Sequence, residues 1–180
     1  MPDPDSQDNP ILFRGTRFDV QSIALKRRSG GVMRREVVVP ANAVVILPML
    51  DDATVVMIRN ERFAVGQTLW ELPAGTLEDG ENPALCAGRE LLEETGYAAA
   101  EVQRLIEFYP TPGFCTELLT AYLARDLTFR GQDLDETERI TTEAIPLNQS
   151  IQMVRDNRIR DAKTIATLLY YQTFLRTDAR

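Results

Sequence analysis

Three glutamates, Glu90, Glu93 and Glu94, fall within five positions of one another in the stretch GTLEDGENPALCAGRELLEETGY, residues 75–97. Such a cluster is either the solvated face of an amphipathic helix or a set of oxygen donors for a divalent cation. Glu90 and Glu94 are spaced i,i+4, a like-charged pair that costs about 0.2–0.5 kcal/mol on an isolated helix. They also sit in its C-terminal half, where the macrodipole disfavours anions. Arg89 offsets part of this, and no lysine occurs between Lys26 and Lys163. A divalent cation would turn the repulsion into coordination. The chain has no histidine. That removes a Ser–His–Asp triad, a Cys–His pair, a histidine base and histidine-ligated zinc from the chemistry open to it. Two cysteines, Cys86 and Cys115, do not build a structural zinc site. A metal held here would be one that takes oxygen ligands, Mg²⁺ or Mn²⁺.

The element that must carry these glutamates reads as a helix over 82–96. Asn82 is a good N-cap, Pro83 suits the first helical position and Gly96 suits a left-handed stop. With Leu85 set at zero and about 100° per residue, Ala84, Gly88, Leu91 and Leu92 gather on one side, expected to face the core. Glu90, Glu93 and Glu94 gather opposite. Around this helix the pattern is largely of strands. Residues 11–25 and the run RREVVVP form a hairpin across Ser29-Gly30-Gly31. AVVILPML, 43–50, is apolar almost throughout and predicts a strand buried on both faces. Further strands are expected at 54–60, 101–110, 116–127 and ITTEAIPL, with a short extended segment at 69–75 and helices at 147–157 and 161–176. An α/β or α+β sandwich is the natural class.

The bulk properties bound the function. At 180 residues, 44% hydrophobic and 26% charged, the chain has the make-up of one ordinary globular domain. Its formal net charge of −7 argues against a nucleic-acid partner. No stretch reaches the roughly 18 apolar residues of a membrane span. Residues 1–10, acidic and proline-rich, lack the features of a signal peptide and read as a disordered lead. The distant cysteines suggest free thiols in a reducing cytoplasm.

Gly75, five residues, Glu81, seven residues, and then Arg89-Glu90-Leu91-Leu92-Glu93-Glu94-Thr95-Gly96-Tyr97 resembles the signature of the Nudix hydrolases, which cleave nucleoside diphosphates linked to another moiety. Every fixed position is matched, and Tyr97 in the last, aliphatic position is a mild departure. The resemblance implies an α/β fold: an α/β/α sandwich with a mixed central sheet and an N-terminal β-hairpin. The expected organisation is a lead at 1–10, N-terminal strands at 11–40 near a dimer interface, and a hydrolase domain at 41–180. It further implies Mg²⁺ or Mn²⁺ held by Glu90 and Glu94, by Glu93 directly or through water, and by the Ala74 carbonyl. Arg89 and Glu81 would tie loop to helix, Gly75 would permit a tight backbone, and Gly96 would end the helix.

Beyond that signature, LWELPAG before it and FYPTPGFCTE after it resemble the ADP-ribose pyrophosphatase branch, as do GTRFDV, RREVVV and IRDAKTIATLLYY. GDP-mannose hydrolases share these features. In this branch the general base comes from a loop after the strands, here 133–138, so Glu138 is the expected base and Glu136 the alternative. Pro112 and Gly113 would shape the pocket, and Glu117 would support metal or substrate. Arg35 and Arg59 are candidate phosphate or ribose contacts, with surface ion pairs as the alternative. Glu71 would accept from a base amino group or belong to a buried ion pair, and Trp70 reads as core, with a stacking platform as the alternative. The expected partner is a nucleoside diphosphate sugar, with no nucleic acid or membrane, and the expected assembly is a cytoplasmic homodimer. A non-catalytic nucleotide-sugar module is the reading from another class. A prenyl diphosphate isomerase is a further one, for which Cys115 with Glu117 offers a weak pair.

Overall fold

A computed structural model describes residues 9–176, so the expected lead at 1–10 lies mostly outside the described residues. The chain divides into two compact units, one of residues 9–42 with 109–118 and the other of 43–108 with 119–176. In the first unit β1 (Ile11–Arg14), β2 (Phe18–Lys26) and β3 (Val32–Pro40) form an antiparallel sheet in the order β1-β2-β3. The hairpin expected around Gly30-Gly31 is present, closed by Arg27 N–H donating to the Gly31 carbonyl at 3.0 Å. Asn9 and Pro10 are bound to β2: the Pro10 carbonyl accepts from Ser22 N–H at 3.0 Å and Asn9 Oδ1 accepts from Ala24 N–H at 3.3 Å. The Pro-Gly loop at 109–118 runs along β3, where Val38 exchanges backbone hydrogen bonds with Phe114 and Thr116.

The second unit holds the glutamates. Its central sheet is mixed, in the order β7-β4-β9-β8, built from β4 (Ala43–Pro48), β7 (Ala74–Thr76), β8 (Tyr97–Phe108) and β9 (Leu119–Phe129). β4 and β9 run parallel, with Val45 opposite Ala121. A second antiparallel sheet, β10-β5-β6, joins β5 (Thr54–Arg62), β6 (Gln67–Glu71) and β10 (Ile140–Pro146). β4 is buried at every position, as its unbroken apolar run predicts. Its side chains alternate between two cores. Val44 and Ile46 pack with Cys86, Ala87 and Leu91 of the helix α1 (Pro83–Thr95). Val45 and Leu47 pack with Met57 of β5, with Met153 of α2 (Leu147–Arg155), and with Leu168 of α3 (Ala162–Tyr170). A π-helical turn, Tyr171–Leu175, continues α3.

Two local expectations need correction. The single extended segment at 69–75 is two strands in different sheets, because Leu72 and Pro73 carry the chain from β6 to β7. The core side of α1 is also rotated from the one expected. Leu85 is 71% exposed, while Cys86, Ala87, Leu91, Glu94 and Thr95 are buried. On the same scale with Leu85 at zero, the buried arc runs from roughly 100° to 280°. Small side chains at Cys86 and Ala87 let the helix lie close on Val44 and Ile46, so close packing rather than leucine content chose the face. Glu94 and Glu90 fall inside that arc and are therefore turned toward the protein, whereas Glu93 lies at its edge.

Candidate active site

The capping of α1 follows its sequence. Asn82 Oδ1 accepts from Ala84 N–H at 2.9 Å, and Gly96 adopts φ 78° with its N–H on the Leu92 carbonyl. Between these ends the helix presents Glu90 and Glu94 to β7, the edge strand of the mixed sheet. Ala74 N–H donates to Glu94 Oε2 at 2.9 Å, and Glu94 is 4% exposed. Burial pushes the Glu94 carboxyl up to about 8; the Ala74 N–H opposes this, while the charges of Glu90 and Glu138 add to it. Glu90 is likewise raised by burial, against the pull of Arg89 and with the push of Glu93 and Glu138.

Gly75 is needed for side-chain room, and the tight backbone expected there is not the reason: it is absent from the residues with positive φ. A methyl group at Gly75 would overlap the Glu90 carboxylate. The displaced group is the far end of a flexible side chain, so the fold can yield where the site cannot. Gly75→Ala is expected to unfold within about 1 kcal/mol of the parent. It should lose turnover on the order of 10²-fold through misplacement of Glu90. Thermal melts and initial rates on the same preparation check this; a parent-like rate would show that Glu90 has no fixed place in the chemistry.

Arg89 ties the cluster to the loop before the helix. Its Nε and Nη2 grip both oxygens of Glu81 at 3.0 Å, and Nη1 donates to Glu90 at 2.8 Å and to Glu93 at 3.1 Å. Nη2 also reaches the Thr76 carbonyl at 3.3 Å. The Arg89 fork and the Glu78 N–H hold the Glu81 carboxyl down at about 2. Cys86, beneath this tie, is fully buried and its thiol is pushed up to about 12 by burial, which leaves it un-ionised at neutral pH. Both cysteines are free.

The loop between β9 and β10 brings a third carboxylate. Glu138 bears on both Glu90 and Glu94, and its own Oε2 accepts from Asp135 N–H at 3.0 Å. Glu136 is exposed, with its carbonyl accepting from Arg139 Nη1 at 3.1 Å. Of the two loop glutamates, Glu138, the one expected as base, is the one whose charge reaches Glu90 and Glu94.

Glu71 takes the buried-pair alternative. It is fully buried, with Arg62 Nε and Nη2 on its two oxygens at 2.8 and 2.6 Å and Lys163 Nζ at 2.7 Å. Lys163 also pairs with Asp161 at 2.9 Å, and Asp161 caps α3 through Thr164 N–H. Thr164 Oγ1 accepts from Leu72 N–H at 2.8 Å, so this ion cluster fixes the strand that leads into Ala74. Arg62, Lys163 and Asp161 were not singled out by the sequence, although Lys163 is the one lysine after Lys26. Arg59 is exposed and lies over the half-buried Trp70 ring, 5.3 Å from its centroid, a cation–π pair across β5 and β6. Arg35, Pro112, Gly113 and Glu117 belong to the first unit. Arg35, Pro112 and Gly113 are exposed there and Glu117 is half-buried.

The donor set suits a cation that prefers oxygen. Burial raises the carboxyls of both Glu90 and Glu94, and the charge of Glu138 raises both further, a strain that a cation would relieve. Among the described residues no three carboxylates or thiols converge on one point, because Glu90 and Glu93 both reach Arg89 instead. A cation taken by Glu90 would compete with its ion pair to Arg89.

The family model for the NUDIX domain matches residues 39–168. The chain is 33% identical over 163 residues to an ADP-ribose pyrophosphatase of Bacillus subtilis (strain 168), covering 89% of this chain and 88% of that one. It is 35% identical over 178 residues to a GDP-mannose pyrophosphatase of Salmonella typhimurium, covering 92% and 90%. The crystal structure of an ADP compounds hydrolase shares the fold with a TM-score of 0.82, at 24% identity over 95% of each chain.

Proposed function

The chain belongs to the NUDIX family, and we propose that it is a Mg²⁺-dependent hydrolase, with Mn²⁺ as a substitute, that cleaves the pyrophosphate of a nucleoside diphosphate sugar. ADP-ribose is the favoured substrate, giving AMP and ribose 5-phosphate; GDP-mannose, giving GMP and mannose 1-phosphate, is the second. The observation that carries this is the placing of Glu90 and Glu94 against β7, where Glu94 accepts from Ala74 N–H and the Glu90 carboxylate fills the space over Gly75. Such a site attracts divalent cations, and through them a diphosphate that bare carboxylates would repel. Glu90 and Glu94 would hold the cation, with Glu93 directly or through water and the Ala74 carbonyl as further donors. When bound, the cation neutralises phosphate charge and makes water more acidic. Glu138 takes the proton from the attacking water as its oxygen bonds to phosphorus and the P–O–P bridge breaks, releasing two phosphomonoesters. Arg35, Arg59, Pro112, Gly113 and Glu117 are left to substrate contact. Arg62 satisfies Glu71 and thereby supports the site from behind.

A homodimer through the first unit fits its exposed Leu12, Phe13, Phe18, Leu25 and Val32. A cytoplasmic setting fits the two free thiols. No helix among the described residues is long and apolar enough to cross a membrane.

The test is release of phosphomonoester from a panel of nucleotide sugars with Mg²⁺, ADP-ribose being cleaved fastest. Faster cleavage of GDP-mannose would move the assignment to the second substrate. If nothing is cleaved and a nucleotide sugar still raises the melting temperature, the chain is a binding module. Glu138→Gln should lower kcat about 10²-fold with little change in KM. A larger loss from Glu136→Gln would transfer the role of base to Glu136.

A further inference from the structure

The last carbonyls of a helix have no partner within it. In α1 the loop after β9 supplies those partners. Arg130 N–H and Gly131 N–H donate to the Gly96 carbonyl at 2.7 and 3.2 Å, and Asp133 N–H donates to the Glu93 carbonyl at 3.1 Å. One contact is made by a side chain: Gln132 Nε2 donates to the Glu94 carbonyl at 2.6 Å. The second hydrogen of the same nitrogen faces Thr142 Oγ1 at 3.1 Å. An amide oxygen in that place would confront the Glu94 carbonyl oxygen, so the nitrogen assignment follows from the partners. The loop lies so close to Gly96 that a Cβ there would stand 2.9 Å from Gln132 N.

Gln132 opens the loop and Thr142 lies on β10 just after it, so one amide joins the two ends of the loop to the backbone of Glu94. Between those ends lies Glu138, whose charge is felt at Glu90 and Glu94. The backbone contacts ask for no particular side chain at 130, 132 or 133, whereas this staple needs a side-chain amide at 132. We infer that Gln132 is a positioning residue: it sets the loop that carries Glu136 and Glu138 in register with the helix that carries Glu90 and Glu94. The inference rests on the assignment of a loop carboxylate to proton transfer made above.

The test compares the full chain with Gln132→Ala and Thr142→Val, first by hydrogen exchange of the amides between Asp135 and Arg139. Losing the staple should speed exchange there about tenfold in Gln132→Ala, and less in Thr142→Val, while the middle of α1 is unchanged. With the best substrate of the panel and Mg²⁺, Gln132→Ala should lower kcat about tenfold and move KM by less than about threefold. In a Glu136→Gln, Glu138→Gln background the same change should cost less than about twofold, because the group being positioned is gone. Unchanged loop exchange, or an equal fractional loss of kcat in both backgrounds, overturns the inference. Full turnover by the double Gln variant would instead defeat the assignment of the base, and the exchange rates then judge Gln132 by themselves.

Discussion

Glu94→Gln will lower turnover at least about 10²-fold, roughly 3 kcal/mol of barrier, and at neutral pH the metal-free variant will be more stable than the parent. Both effects follow from one buried carboxylate. Gln keeps the shape and an acceptor for the Ala74 N–H, so packing against β7 survives. It removes the ionisable carboxylate that the proposed cation would need. The stability change follows from where the proton goes. The folded state holds the Glu94 proton up to about 8, against 4.5 when unfolded. Between those values the folded state binds more protons, so stability is highest below about 4.5, falls as pH rises toward 8 and then levels off. Glu90, also raised, acts with the same sign. The full shift at Glu94 corresponds to a few kcal/mol at most. Melting curves in EDTA from pH 5 to 8.5 should therefore slope downward for the parent and less so for Glu94→Gln. Mg²⁺ should restore the parent and leave the variant nearly unmoved. Retention of more than about a tenth of the parental rate, roughly 1.4 kcal/mol, would remove Glu94 from the ligand set.

Lys163→Met will destabilise the protein by about 3–5 kcal/mol, the usual cost of breaking a buried ion pair from one side. Lys163 is the shared counter-charge of Glu71, whose side chain is 1% exposed, and of Asp161, at 16%. Without it Glu71 retains Arg62 alone, and Asp161 keeps its cap on Thr164 with no cation beside it. Asp161 shows the balance directly. Burial would raise its carboxyl, but Lys163 and Thr164 outweigh burial and hold it below the ordinary range. Its contribution is thus present above that range and fades as pH falls through the depressed value. Urea unfolding at pH 7 measures the loss. The Glu71→Gln, Lys163→Met pair should recover part of it, because the stranded anion is then gone while Arg62 can turn to water. A loss under about 1 kcal/mol would mean the cluster behaves like a surface pair.

The limits of helix α1 were legible in sequence because caps are local: Asn82, Pro83 and Gly96 act through their own backbone and one turn on either side. The doubly buried strand β4 was legible because nothing but two-sided burial favours an unbroken apolar run. The spacing from Gly75 to Tyr97 carried the family, and with it the carboxylates. The face α1 buries was not legible. Leu85 outweighs Cys86 and Ala87 on any hydrophobic count, but the sheet below accepts the smaller residues and leaves Leu85 in solvent. The purpose of Gly75 was legible as a requirement and misread as to cause, since the group that needs the space, Glu90, lies fifteen residues on.

By itself, then, the sequence determined the element types, the exclusion of histidine chemistry, and the family. Each of these depends on residue identity or on spacing along the chain. Tertiary structure alone decided that Glu71 is consumed by Arg62 and Lys163, ninety-two residues away in the second case. It alone decided that Gln132 bonds the Glu94 carbonyl. Those pairings depend on which distant segments meet, and a carboxylate or an amide carries no mark in the sequence of the partner that folding will bring to it.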